Sequence, residues 1–251
     1  MLSKPRILLL DVETFPNVAY VWGKYEQNVI EYKQESCLAT FAYKWLDEDK
    51  VYVRGLPDYS GYKRGSYNDK KLVTDLWKLL DAADIVVAHN GDAFDVRVCN
   101  YRFIVNGLMP PSPYKTVDTK KATKRVARFN SNKIDDLGTI LGMGQKIKTD
   151  FSLWRGCIEG DPAEWKKMMD YNKQDVLLLE KLYLRIRPWI SNHPNFTVEN
   201  GASCPKCNAF DIQYRGYAIT NTRRYRRFQC NSCGGWGRVV KSEGSAKVTN
   251  A

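Results

Sequence analysis

The segment RILLLDVET, residues 6–14, runs an apolar strand directly into two acids. Residues 6–12 read as a buried β-strand. Side chains alternate across a strand, so Asp11 and Glu13 point to the same side at its carboxyl end. Two converging carboxylates repel each other unless a cation or hydrogen-bond donor lies between them. On its own the pattern also describes a strand end meeting solvent, so its meaning depends on what else the chain brings to that face.

A second acid cluster follows a second buried strand. IVVAHN, residues 85–90, breaks into the glycine-containing turn of HNGDAFDVRV, residues 89–98, and Asp95 falls at the start of a helix. A carboxylate is favourable at a helix N-terminus in any protein, so Asp92 and Asp95 also suit simple caps. Asn90 and Phe94 add a polar group and an aromatic face, which could hold a terminal nucleotide by hydrogen bonding and stacking. The third fragment is YNKQD, residues 171–175. It lies within a helix that starts at Asp161-Pro162-Ala163-Glu164, with an Asp N-cap, proline at the first position and a capping-box Glu, and runs to about Arg187. Positions four apart stack on one helix face, and Met168, Leu178 and Leu182 mark that face as inward. Tyr171 and Asp175 therefore stand where core residues are expected, which costs stability unless the carboxylate is paired or holds a cation.

Between these fragments, strand-rich sequence continues to about residue 55. Asn68 is placed to cap a helix with Leu72, Leu76, Leu79 and Leu80 on its apolar face. Residues 94–106 have helical spacing, 114–118 read as a strand and 134–142 as a short helix. Asp118 ends that strand as supporting structure. The basic run Lys120, Lys121, Lys124, Arg125 and Arg128 beside it suits either a solvated helix face or a substrate backbone.

D-x-E on the first strand, N-x-x-x-F-D at a strand-to-helix turn and Y-x-x-x-D on a late helix together resemble the DEDD superfamily of 3′-to-5′ exonucleases, across about residues 5–188. Within it the sequence looks closest to stand-alone relatives of the family-B polymerase proofreading domain. Tyr171 implies the tyrosine subtype, because the two histidines, His89 and His193, do not have the required spacing. The resemblance implies a DnaQ-like, ribonuclease-H-like α/β fold, a mixed sheet flanked by helices. It also implies two Mg²⁺ or Mn²⁺ ions about 4 Å apart, suited to oxygen ligands. Asp11 would bridge both ions, Glu13 and Asp175 would complete the site that activates water, and Asp95 would serve the second metal. Tyr171 would orient the attacking water, since a phenol of pKa near 10 is a poor base at neutral pH. The substrate expected is a 3′ end of single-stranded DNA, with RNA open. The rival readings are a non-catalytic nucleic-acid-binding protein that keeps the fold, and a structure-specific endonuclease.

Beyond residue 190 the composition changes. We expect an exonuclease domain over 1–190, a linker over 191–200 and a small module over 201–251. CPKC at 204–207 and CNSC at 230–233 resemble a β zinc ribbon in which Cys204, Cys207, Cys230 and Cys233 hold one structural zinc in place of a hydrophobic core. Residues 191–251 have nine basic and three acidic residues, a net +6, against +5 for residues 1–190. Arg223, Arg224, Arg226 and Arg227 alternate with aromatics that could stack on bases, a composition suited to nucleic-acid strands. The 251-residue chain carries a formal charge of +11 with a pI near 9.2, which favours a polyanionic partner. No apolar run approaches the roughly 18 residues of a membrane span. An odd count of seven cysteines, with no signal-peptide pattern at the start, points to a reducing compartment, cytoplasmic or nucleoid-associated. A polymerase or other replication partner fits the resemblance, but no residue supports one.

Overall fold

The computed structural model describes residues 4–25, 28–195, 197 and 202–246. Its centre is a five-stranded sheet of β1 (Ile7–Thr14), β4 (Leu38–Trp45), β5 (Tyr52–Gly55), β6 (Ile85–Ala88) and β7 (Lys115–Asp118), in the order β5-β4-β1-β6-β7. A short hairpin of β2 (Val18–Tyr20) and β3 (Glu31–Gln34) lies outside it. β1 pairs antiparallel with β4 and parallel with β6, so the sheet is mixed and β1 is central. Being covered on both faces, β1 is apolar from Ile7 to Leu10 and again at Val12.

The strand period sorts the core into two layers. Leu8, Leu10 and Val12 of β1 join Phe41 and Val86 on one face, against α1 (Lys70–Asp81) and α2 (Asp95–Val105) through Leu72, Leu76, Leu80, Cys99 and Phe103. Ile7 and Leu9 face the other way, with Val87 and Val117, onto α6 (Pro162–Ile186), which supplies Val176, Leu179, Leu182 and Tyr183. The shorter helices α3 (Thr119–Val126), α4 (Ile134–Ile140) and α5 (Phe151–Ile158) complete the layers. Asp11 and Glu13 continue the odd-numbered stripe of Ile7 and Leu9, so the strand period aims them at α6. At 25 residues α6 is about 37 Å long, enough to run the length of this stripe.

Asp161 caps α6 by accepting from the Ala163 N–H at 2.8 Å, with Pro162 at the first position. The reciprocal arm of the expected capping box is not made: Glu164 packs against Gly156 of α5 and leaves Oε2 buried without a partner. Asn68 accepts only a long 3.3 Å bond from the Lys70 N–H. The N-cap residue of α1 is Asp69, 1 % exposed, and its carboxylate serves other elements. It takes a bidentate pair from Arg102 of α2 at 2.7 and 2.8 Å and the Leu38 N–H at the start of β4. α5 has no counterpart in the sequence reading; Asp150 caps it by accepting from the Ser152 N–H.

The C-terminal module forms a separate antiparallel sheet of β8 (Ile212–Ile219), β9 (Arg223–Cys230), β10 (Trp236–Arg238) and β11 (Gly244–Ser245), with β9 central. Part of the expected linker packs against α6: the His193 ring stacks on Tyr183 and its Nε2 lies 2.8 Å from the phenol oxygen. Residues 196 and 198–200 of that stretch fall outside the described residues. Lys206 of the module donates to the Pro188 carbonyl. Removing one side of a buried ion pair strands the other charge. Asp69→Ala is therefore expected to cost about 3–5 kcal/mol in urea unfolding, and Asp69→Ala with Arg102→Met less than Asp69→Ala alone. Equal losses in the two variants would mean that the pair is not what Asp69 contributes.

Candidate active site

The carboxylates of Asp11, Glu13 and Asp175 converge so that one ligand oxygen from each lies within 4.8 Å of the others. Asp11 and Glu13 come from successive inward positions of β1, and Asp175 from the facing turn of α6. Asp95 opens α2 beside them, and its Oδ1 accepts the Val12 N–H at 3.1 Å, tying the helix start to the strand that carries the other two. Tyr171 sits one turn before Asp175, 8 % exposed, with Trp154 of α5 packed edge-on against its ring. Trp154 in turn donates to the Thr14 carbonyl at the end of β1.

Two polar residues that sequence reasoning passed over hold this cluster. Asn172 is fully buried and donates from Nδ2 to Asp11 Oδ2 at 2.6 Å, while its own Oδ1 accepts from the Thr40 hydroxyl at 3.0 Å. This relay fixes the orientation of the Asp11 carboxylate. Lys146, from the loop after α4, places Nζ 2.6 Å from Asp175 Oδ2 and donates to the Tyr171 oxygen at 3.0 Å. Asn172 could have been noticed as the neighbour of Tyr171 on an inward helix. Nothing in the loop sequence GQKIKTD sets Lys146 apart from Lys148.

Burial raises the pKa of every acid here, and the charges of neighbouring cluster acids add to it at Asp11 and Glu13. Desolvation, then the charges of Asp95, Glu13 and Asp175, hold Asp11 well above its ordinary value. Desolvation and Asp175 push Glu13 up to about 8, and burial pushes Asp95 up to about 7 against the pull of the Val12 N–H. Asp175 is raised by burial despite Lys146, and burial keeps the Tyr171 phenol above its ordinary range. Burial opposes the charge on Lys146, but Asp175 outweighs it and keeps the ammonium protonated. Both oxygens of Asp175 are buried without a well-aligned hydrogen-bond donor. A buried carboxylate paired with Lys146 and facing two further acids belongs to an oxygen donor set suited to hard divalent cations such as Mg²⁺ or Mn²⁺.

The turn between β6 and α2 leads directly into Asp95. Asn90 adopts a left-handed backbone, φ 70°, which asparagine tolerates, and its carbonyl accepts the Ala93 and Phe94 N–H groups. Asp118 pins this turn by accepting the Asn90 N–H at 3.1 Å while capping α3 through the Lys120 and Lys121 N–H groups. Phe94 leaves 42 % of its surface exposed. Of the basic run, Lys121 is engaged with Asp92 at 2.8 Å.

The four C-terminal cysteines form the second cluster. Sγ of Cys204 lies 3.7 Å from that of Cys233, and Cys207 is 3.7 Å from Cys230. Those separations match an edge of a tetrahedron of sulfurs about 2.3 Å from a central zinc and far exceed a disulfide bond of about 2.05 Å. The two C-x-x-C turns repeat one geometry. Asn208 and Gly234, each next after the second cysteine, are left-handed, and their N–H groups bond the Cys204 and Cys230 carbonyls at 2.8 Å. Arg223, Arg224, Arg226 and Arg227 all lie on β9.

The family model described as RNase_H superfamily matches residues 30–187, more than half of the chain, and the chain belongs to that superfamily. The match begins after β1, so the placement of Asp11 and Glu13 beside Asp175 comes from the fold. Among solved structures, the family B DNA polymerase from the hyperthermophilic archaeon Pyrobaculum calidifontis aligns with a TM-score of 0.52 at 15% identity. The alignment covers 74% of this chain and 26% of the polymerase, so the chain corresponds to about a quarter of that protein. The likeness is one of fold. A search of curated proteins returns no match.

Two outcomes are expected. Glu13 has a folded pKa near 8 against an ordinary 4.5. The folded state therefore binds more protons across that window, and stability without added divalent metal falls as pH rises through it. Glu13→Gln should flatten the pH dependence of Tm between about 5 and 8; an unchanged slope would remove Glu13 as its source. Elemental analysis of the purified chain should find one zinc per molecule, and Cys230→Ser should lose it. A zinc-free wild type would refute the tetrahedral site.

Proposed function

We propose that this chain is a metal-dependent 3′-to-5′ exonuclease that hydrolyses single-stranded DNA, with RNA as the alternative strand, and that the C-terminal ribbon assists nucleic-acid binding. The observation that carries the reading is the convergence of Asp11, Glu13 and Asp175, with Asp95 beside them and Tyr171 one helical turn away, on a ribonuclease-H-like sheet. The polymerase likeness supports DNA as the first choice of substrate.

Asp11, Glu13, Asp95 and Asp175 would hold two divalent cations, which when bound neutralise the phosphodiester and lower the pKa of an attacking water. The chain's own groups then position the reaction. Asn172 and Thr40 keep Asp11 in one rotamer, and Val12 does the same for Asp95 through its N–H. Tyr171 remains a protonated phenol, and because Lys146 donates to its oxygen, its own O–H is left to donate to water or to Asp175. It orients rather than deprotonates. Asn90 and Phe94 line the turn beside Asp95, where a polar group and an exposed ring suit a terminal nucleotide.

A time course on 5′-labelled single-stranded DNA and matched RNA with Mg²⁺ or Mn²⁺ tests the reading. The wild type should give a ladder that shortens from the 3′ end. Asp175→Ala should slow it by more than about 100-fold, beyond what loss of a supporting group costs. Tyr171→Phe should slow turnover while the metal concentration for half-maximal rate stays unchanged. Cleavage of circular single-stranded DNA would point to an endonuclease, and intact substrates with wild type and variant alike would leave only a binding protein.

A further inference from the structure

The central strand of the ribbon divides its arginines between two unlike faces. Residues directly opposite in an antiparallel pair share a side, so the register assigns each one. Phe228 lies opposite Tyr214 on β8 and Gly237 on β10. A Cβ on Gly237 would fall 2.3 Å from the Phe228 ring, so this is the packed side, and Phe228 is buried on it. Arg224 and Arg226 belong to this side. Guanidiniums lie over rings on this side too, Arg226 at 4.0 Å over Tyr214 and Arg224 over Tyr217, but here an acid offsets the charge, Glu243 at 3.6 Å from Arg226.

The opposite side carries Arg223, Tyr225, Arg227 and Gln229 of β9, with Trp236 opposite Gln229 and Arg238 opposite Arg227. Arg215, two residues after Gln213 and bonded to it, extends the same side on β8. Four guanidinium groups gather here, and among the described residues no acid pairs with any of them. Two are held in place over rings. Arg238 sits 4.1 Å from the Tyr225 centroid and Arg227 4.9 Å from that of Trp236. Arg227 is fixed further by donating from Nε to the Arg215 carbonyl at 3.0 Å, across the bulge at Gly216. Gly216 supplies the left-handed backbone of this bulge, φ +68°, and the Arg227 guanidinium lies 3.7 Å from where its Cβ would stand.

Resting on the proposal that the ribbon meets nucleic acid, we propose that this face, Arg223, Tyr225, Arg227, Trp236 and Arg238, is a single-strand docking surface, and that the Arg224 and Arg226 side is not. Successive same-side positions of a strand are about 6.8 Å apart, comparable to the spacing of phosphates along an extended single strand. Cation and ring alternate at that interval, so one rung can meet a phosphate while a base stacks on the next, against the ring or the guanidinium plane that lies over it. Guanidiniums already held over rings lose little freedom on meeting a phosphate. A duplex keeps its base faces stacked inside, so the rings would be idle against it.

The test uses the full chain carrying Asp175→Asn, so that substrate survives, and labelled oligothymidylate or oligouridylate read by fluorescence anisotropy. Arg227→Ala with Arg238→Ala should weaken binding at least tenfold and lower the salt slope by about 1.4, two phosphate contacts on a single strand. Trp236→Ala should weaken it at least about fivefold, as loss of a stacked base does. Arg224→Ala with Arg226→Ala should change it less than twofold, and duplex of equal length should bind more weakly than single strand. Zinc content of one per chain confirms that each variant is folded. Equal losses from the two arginine pairs, no loss from either, or tighter binding of duplex would overturn the assignment. Because binding is read without hydrolysis, a wild type that binds through this face yet cuts nothing would remove the exonuclease reading alone, and one that cuts while this face stays silent would remove this proposal alone.

Discussion

Four carboxylates crowd the carboxyl end of one buried strand, and their mutual repulsion is the constraint around which the large domain is arranged. Asp11 and Glu13 are brought together by strand alternation, Asp95 by a hydrogen bond to that same strand, and Asp175 by the inward face of α6. The fold tolerates this through local compensation. Asn172 satisfies an oxygen of Asp11, Val12 one of Asp95, and Lys146 sets an ammonium against Asp175. These contacts do not offset the cost of burial, which raises the pKa of all four acids, with repulsion inside the cluster adding to it at Asp11 and Glu13. An acidic site kept in this condition costs stability without a cation, and such a cost is typical of residues placed for chemistry rather than for packing.

The rest of the domain supports that end of the sheet. Asp69 joins the starts of α1 and β4 to the end of α2 through one carboxylate, and Asp118 joins the Asn90 turn to α3. Trp154 reaches from α5 to the last residue of β1 while packing on Tyr171. Each is a long-range contact that locks the backbone on which an acid or its neighbour sits. The ribbon solves a different problem. Its sheet offers few buried apolar residues beyond Phe228, and two matching cysteine turns take the place of a core.

Much of the candidate site was legible because its parts lie on regular elements. A strand of period 2 and a helix of period 3.6 place Asp11, Glu13, Tyr171 and Asp175 from local spacing alone, and the cysteine spacing identifies the ribbon. Capping was less legible: Asp161 behaves as its sequence suggests, but Glu164 turns to α5, and Asp69, beside the expected cap Asn68, is drawn to Arg102. The short α5 was missed because its eight residues carry too little periodic pattern to stand out, and its place is decided by packing on α6.

By itself, the sequence determined the residue types and local periodicities: the acid pair ending a buried strand, the tyrosine one turn before an acid, the two cysteine knuckles and the strong positive charge. Only the tertiary structure decided which polar groups complete the site and which side each ribbon arginine takes. Lys146 reaches Asp175 from 29 positions away and Thr40 reaches Asn172 across 132, separations over which no local pattern carries information. The division of Arg224 and Arg226 from Arg223 and Arg227 follows from strand alternation, but knowing which side is packed required the register that sets Phe228 against Gly237.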